Sequence, residues 1–595
     1  MSKKRKSSLF LTLKSMFVRT NDDVKSILEE EQMQSPFRTI VKNFLENKVA
    51  MVGVVVFILI FLCCLILPIF FPLDVSYQDS TQQNVSPGFS MMNVPAELKN
   101  NAAQISPGSV FSVGIDRDGK VYQWGHLDAK LQKMPKFQGK VVQISAGLSH
   151  VLALDDKGKL YTWGYNRMGL DTIPIDLGFE TVKQIAAGQQ ISYALTEEGN
   201  LFIWGNQNIV SVNADDYQGQ IEQIEPNGTT VIARLKDGTV AVLSEKETPF
   251  SRIPEGLTNV IDIASTDKSA AALTADGKVV VWGGSDYGVM NIPEEIQGKV
   301  TQLAAGRSSF TVLLKDGTVV SWGQNNLNQG SAPSISGVET ICAGYFQNYA
   351  IDGSGKVTGW GLKGYLMGTD AYGRDIFVRL LTGGRMTMTI GAISVIISTI
   401  IGVIIGGLSG YYGGKLDNIL MRFTEIVMSI PFLPFAMILS ALVGNSVSEV
   451  VRISMIMVIL GLLSWPSLAR LVRAQILAER EKEFVTAAKA MGIKELSIVF
   501  RHILPNVITV IIVNTTLDFA TCMLIESTLS FLGFGVAEPS PTWGNMLTGS
   551  NSSLVIGTYW WRWVFPSLAL GLSTISINSI GDGLRDAIDP RSNER

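Results

Sequence analysis

Residues 143–164 read QISAGLSHVLALDDKGKLYTWG. The stretch opens on Gln143-Ile144, reaches Ala146-Gly147, alternates through Val151-Leu152-Ala153-Leu154, turns, and ends on Trp163-Gly164. It is one copy of a repeat. Trp-Gly recurs at Trp124, Trp163, Trp204, Trp282, Trp322 and Trp360, with a degenerate copy at Leu243-Ser244. The spacings are 39, 41, 39, 39, 40 and 38 residues. A second marker at Gln104, Gln143, Gln184, Gln223, Asp262, Gln302 and Thr340 has the same six spacings. Two independent markers in one period define seven tandem units.

Each unit has several short strands. Asp-Gly at Asp118, Asp237, Asp276 and Asp316 falls between apolar stretches. Such a dipeptide marks a tight hairpin, because glycine adopts positive φ cheaply. Units of about 40 residues with this grammar are propeller blades. The reading is an all-β seven-bladed propeller over residues 90–362. Met92-Asn93-Val94-Pro95 matches Met290-Asn291-Ile292-Pro293, so an N-terminal strand is predicted to complete the last blade and bring the two ends of the insert together. The tryptophans and glycines are blade core and turns, and His126 and His150 are read as packing or loop residues.

Outward from the repeat the composition changes. The whole chain has 595 residues, 17% charged residues, a net charge of −3 and a mean hydropathy of +0.25. It is too apolar to be wholly soluble, and it lacks the basic excess of a nucleic-acid binder. Val49 to Phe71 carries no charge and is long enough to cross a hydrocarbon core of about 30 Å. The 48 residues before it hold ten Lys/Arg against six Asp/Glu, which places them in the cytoplasm. Further spans are predicted at Met386–Tyr412, Ile426–Ser448, Ile453–Ala469, about Val507–Val536, and Val564–Ile580. The fold class is therefore multidomain: an all-α polytopic membrane protein with six transmembrane helices, split by the propeller. Both termini are expected inside and the propeller outside. The boundaries are a cytoplasmic segment 1–48, a first helix 49–75, the propeller 90–362 and a membrane core 364–592. Segment 470–502, with seven Lys/Arg against four Asp/Glu, falls inside. Four cysteines at 63, 64, 342 and 522 build neither a disulfide framework nor a zinc site.

The cytoplasmic stretch 481–505 holds Glu483, Ala487, Ala488, Gly492, Leu504 and Pro505. Its alanines favour a helix with little side chain to obstruct a partner, and Gly492 suits a left-handed cap. A second amphipathic stretch, Glu495 to His502, precedes Pro505, so the region reads as a helix-turn-helix lever. Glu526 and Asp518 are intramembrane carboxylates and hence functional candidates. No Gly-x-x-x-x-Gly-Lys-Ser/Thr loop occurs, so the chain is not expected to be an ATPase or any other enzyme.

Two resemblances follow. The repeat is similar to the propellers of the regulator-of-chromosome-condensation family, in its short bacterial form, which implies a fold more than a function. The 481–505 stretch resembles the coupling loop of ATP-binding-cassette importer permeases, with Thr486 standing where the usual pattern has Glu. Gly368-Thr369-Asp370, Gly373-Arg374-Asp375, the Pro541-to-Met546 stretch with Trp543, and Gly581-to-Asp586 with Asp589-Pro590 extend it. They are similar to the C-type permease of dipeptide/oligopeptide/nickel importers. That resemblance implies a subunit of a peptide importer in the bacterial cell membrane. It also implies a second permease as heterodimer partner, two cytoplasmic ATPases that use ATP, and an extracytoplasmic solute-binding protein. No cofactor or metal is expected on this chain. Glu526, Asp518 and Trp543 are candidates for the translocation path or gate. The propeller is expected to bind or dock, with another surface or secreted protein as a further candidate partner. The alternative is a membrane-anchored display protein whose permease part is a non-transporting scaffold.

Overall fold

The computed structural model describes residues 36–443 and 448–588. The basic run at Lys3–Lys6 and the Asp589-Pro590 pair lie outside the described residues. The described residues fall into two compact units, one within Met1–Val75, Val378–Ser552 and Trp563–Arg595, the other within Ser76–Phe377 and Ser553–Arg562.

The second unit contains seven antiparallel three-stranded sheets, each built from consecutive strands. They are the blades of a propeller. Blade 1 runs from Ala102–Pro107 through Phe111–Asp116 to Val121–Gly125, and blade 7 from Val338–Ala343 through Gln347–Asp352 to Val357–Gly361. Middle strands such as Phe111–Asp116, His150–Asp155 and Ile191–Thr196 are buried at every position, because blades cover both faces. The Trp-Gly tryptophans are buried, and their indole N–H groups are satisfied. Trp204 donates to Leu170 O at 3.2 Å, Trp282 to Phe250 O at 2.9 Å, and Trp322 to Val289 O at 2.9 Å.

The glutamine marker has a physical role of its own. Gln184 donates to Ile224 O of the next blade at 2.8 Å, and its Oε1 accepts from Ile224 N at 2.9 Å. Gln104 holds Ile144 in the same way, and Gln302 holds Ile341. Each such side chain clasps the backbone of its neighbour. Thr340 of blade 7 is too short for this. The seam between blades 7 and 1 is held instead by Tyr349, whose hydroxyl accepts from Trp124 Nε1 at 3.0 Å and lies 3.1 Å from Ser112 Oγ.

The structure corrects the predicted closing strand. Residues 92–101 form turns, and no strand pairs with blade 7 there. Leu98 is buried in a cluster with Tyr349, Ile351 and Val357, and Lys99 O accepts from Val357 N at 2.9 Å. The segment seals the seam by side-chain packing, because its turns leave too little extended backbone for a ladder. The ends of the insert do meet: Gly88 pairs with Tyr365, with Gly88 N donating to Tyr365 O at 2.9 Å.

The first unit is helical. Helices α1 (Pro36–Glu46), α2 (Lys48–Phe70) and α3 (Ile376–Tyr412) are followed by α4 (Gly414–Ser429) and α5 (Phe432–Val443). Then come α6 (Glu449–Glu479), α7 (Glu483–Ala490), α8 (Leu504–Phe531), α9 (Trp543–Met546) and α10 (Trp561–Ile588). Among the described residues five helices are long and apolar enough to cross a membrane, and α4 with α5 makes a sixth if it is one broken span. The straight span expected over 426–448 is not formed. The chain bends by 81° between α4 and α5. Pro431 cannot donate to the helix ladder and disfavours helical backbone at Ile430, whose ψ is 125°.

Candidate functional site

The 481–505 region is a helix and a turn packed under the helical unit. In α7, Val485 and Ala488 are buried three residues apart, on one face. They join a cluster with Tyr411, Val472, Ile476, Ile498, Val499, Ile503 and Val507. Ala488 thus serves the chain's own packing, while Glu483, Phe484, Thr486 and Ala487 are exposed on the other side. Met491 and Leu496 are 72% and 53% exposed apolar side chains beside them. Gly492 has φ +72° and ends α7: Ile493 N donates to Ala488 O at 3.2 Å. Open space surrounds its Cα, so a side chain here is opposed by backbone conformation rather than by crowding. The chain re-enters helix through Glu495–Ser497 and a wide π turn at Ile498–Ile503, with Leu504 half-buried and Pro505 exposed at the start of α8.

An ion pair that the sequence reading missed joins α4 to α6, the helix that leads into this region. Arg473 of α6 grips Asp417 of α4 with two bonds of 2.5 and 2.6 Å, and Ser409 of α3 also donates to Asp417. Arg480 donates to Tyr411 O at 3.1 Å, and Lys489 of α7 lies 5.1 Å from the Tyr411 ring centre. Asp417 and Arg473 are 56 residues apart, so no local spacing signals the pair.

Glu526 is fully buried in α8, where Ser530 Oγ donates to it at 2.7 Å and Ser527 Oγ at 3.3 Å. Asp518 accepts from the Asn514 amide at 2.8 Å, one turn away. Trp543 is 1% exposed; its indole donates to Leu380 O at 2.9 Å and its backbone N–H to Thr387 Oγ1 at 3.1 Å. Thr542 and Asn545 cap α9 reciprocally, and Asn545 also donates to Ser540 O at 2.7 Å. Within this chain the Trp543 stretch is a plug that pins the loop after α8 onto α3.

The Gly-Thr-Asp segment is a knot at the entrance to α3. Thr369 Oγ1 accepts from Val85 N at 2.8 Å and donates to Gln82 O. Its carbonyl accepts from Trp561 Nε1 at 3.0 Å, beside Gly368. Asp370 accepts from Arg374 Nε at 2.7 Å, and Arg374 stacks on Tyr372. Gly373 lies so close to Asp79 O that a Cβ would stand 2.0 Å from it. Asp375 caps the helix by accepting from Phe377 N at 2.8 Å. Among the described residues no group of three His, Cys, Asp or Glu is arranged to hold a metal.

Five helices long and apolar enough to cross a membrane, a sixth if the bent pair is one span, together with the buried carboxylate of Glu526 and the two-faced helix α7, give the make-up of a polytopic membrane protein. Residues 372–594 match the model of the binding-protein-dependent transport system inner membrane component. Residues 35–87 match the N-terminal transmembrane domain of oligopeptide transport permease C, and four stretches between 141 and 329 match the regulator of chromosome condensation repeat. A putative peptide permease protein of Brucella suis is 44% identical over 225 residues, 38% of this chain and 72% of that one. The oligopeptide transport system permease protein of Haemophilus influenzae is 42% identical over 231 residues, 39% of this chain and 72% of that one. The WD40 ectodomain of the Arabidopsis thaliana receptor kinase ACR4 aligns at 17% identity and a TM-score of 0.36, over 44% of this chain and 96% of that structure. The chain belongs to the family of inner-membrane permeases of binding-protein-dependent transport systems. It carries an inserted seven-bladed propeller. Membership implies separate ATPase subunits and a substrate-binding protein as partners.

Proposed function

We propose that this chain is one permease subunit of an ATP-driven importer for peptides. It pairs with a second permease, and the propeller lies outside as a binding or docking module. The peptide class comes from the names of its relatives. Two ATPases dock at the coupling loops of the two permeases, one of them at the exposed face of α7, and their closure pushes the 481–505 lever to switch access across the membrane. The observation that supports this is the division of α7 into two faces. Val485 and Ala488 are anchored in the helical core, while Phe484, Thr486, Ala487 and Met491 are left for a partner. Thr486 is exposed at the position where the related pattern has an acid, so the charged contact of that pattern is missing there. Glu526 and Asp518 act in the path or its gate, and Trp543 holds the loop that frames it.

Gly492→Asp tests the lever. Positive φ costs a non-glycine residue about 1–2 kcal/mol, so the turn after α7 is expected to rearrange. The complex reconstituted with its ATPases and binding protein is expected to assemble but to lose peptide-stimulated ATP hydrolysis and uptake. Unchanged uptake and stimulated hydrolysis would show that 481–505 is not the coupling element.

A further inference from the structure

A repeat protein supplies its own internal control: what all blades share builds the fold, and what one sector alone departs in is available for something else. The first strands of the seven blades line a central cavity of about 340 Å³. Pairing register aligns their residues. At the third position after the marker begins, the other blades carry Ser106, Ser145, Ala186, Ala264, Ala304 and Cys342, whereas blade 4 carries Glu225. At the next position the others carry proline or alanine, whereas blade 5 carries Ser265. The glycine of the Ala-Gly turn is replaced by Asn227 in blade 4 and by Thr266 in blade 5. All these departures fall on two adjacent blades and line the same cavity.

Glu225 carries more chemistry than its structural place needs. In blades 1 and 2 a serine does the bridging work: Ser106 Oγ accepts from Ala146 N, and Ser145 Oγ accepts from Ala187 N, both at 2.9 Å. Glu225 makes the equivalent bridge to the Ser265 amide. One hydroxyl oxygen suffices elsewhere, so a carboxylate leaves an acceptor over. Ser265 is 8% exposed, and its buried hydroxyl has no hydrogen-bond partner. The Asn227 amide nitrogen is committed to Thr266 O, which leaves its Oδ1 as an acceptor. The nearby charges are otherwise engaged. Asp262 accepts from Gln223, Ile263 N and Leu303 N; Arg234 donates to Gln223; Arg307 pairs with Asp79 and Asp267.

We infer that the blade 4–blade 5 sector of the propeller cavity is a binding site for a small solute bearing a primary ammonium group, held by Glu225, Ser265 and Asn227. An ammonium offers three donors, and the sector offers three acceptors of which one is a carboxyl. Burial and the Asp262 carboxylate push Glu225 up to about 8, so a cationic ligand supplies the counter-charge that the fold withholds. The cavity volume suits a small molecule rather than a chain segment. Among the described residues no three-ligand metal cluster competes for this role.

The test is calorimetric titration of the full-length chain in detergent, with trialanine and N-acetyltrialanine as probes. Trialanine is expected to bind at least about tenfold more tightly than its acetylated form, since charge-assisted bonds are lost on acetylation. Glu225→Ser keeps the inter-blade bridge, as blades 1 and 2 do, and is expected to weaken trialanine binding about tenfold or more. Ser265→Ala, the residue of most blades, is expected to weaken it by about three- to tenfold. Glu225→Gln gives the same loss by a second route if the serine variant misfolds. Equal binding of the two peptides, equal binding by wild type and both Glu225 variants, or no binding by wild type overturns the site. Coupled transport reads residues 481–505, so failure of the transport reading and failure of this one are distinguishable.

Discussion

Two titratable residues in the propeller set opposite pH dependences. His150 is fully buried, its Nε2 lies 3.0 Å from Ser192 Oγ, and burial lowers its pKa from 6.5 to about 4. The folded state therefore binds fewer protons than the unfolded state between those values, and stability is lost as pH falls through that window. The loss is on the order of 3 kcal/mol, and His150→Asn is expected to flatten it in thermal melts followed by β-sheet circular dichroism. Glu225 has the reverse sign. Its folded pKa of about 8 lies above the ordinary 4.5, so its contribution is complete below 4.5 and is lost as pH rises through 8. Glu225→Gln is expected to raise the melting temperature above pH 8 and to leave it unchanged at pH 4. Histidine-as-packing was legible in the sequence because His150 sits in an alternating apolar strand. The isolation of Glu225 was not, since the residues facing it come from the next blade.

At the scale of elements, the glutamine clasp and the helices around α7 carry the measurable predictions. Gln184→Ala removes two inter-blade hydrogen bonds and leaves Ile224 N–H and C=O short of their partner. The expected cost is about 1–3 kcal/mol, read as a shift of the denaturation midpoint. The repeat period located these glutamines, but their reach into the neighbouring blade depends on blades lying side by side. For the membrane part, Asp417→Asn leaves the Arg473 guanidinium with a neutral acceptor. We expect reduced peptide-stimulated ATP hydrolysis in the reconstituted complex, with helical content unchanged. Alanine propensity and Gly492 point to a helix with a left-handed cap, and α7 ends that way. The alanines read as leaving room for a partner, whereas packing buries Ala488, because only the neighbouring helices decide which stripe of a short helix turns inward. The broken span at Pro431 is a similar case: hydropathy averages over the proline, while the backbone cannot.

For the whole molecule, the insert enters and leaves through paired backbone at Gly88 and Tyr365. An insertion whose ends already touch adds little loop-closure cost. Joining residue 88 to residue 365 by a short linker is therefore expected to give a monodisperse, helical permease that still assembles with its ATPases, checked by size exclusion and circular dichroism. Uptake by that variant separates two roles: full uptake makes the propeller an accessory, and lost uptake with normal assembly makes it a receptor or dock.

The sequence alone determined the seven-fold period, the split of the chain into propeller and membrane part, and the stretches that resemble permease motifs. These are properties of order along the chain: periodic burial, turn residues and hydrophobic length. Tertiary structure alone decided how the propeller seam closes without an added strand, which charges pair between α4 and α6, and which blades share the departing cavity residues. Those depend on juxtaposition of positions 40 or more residues apart, which local pattern does not encode.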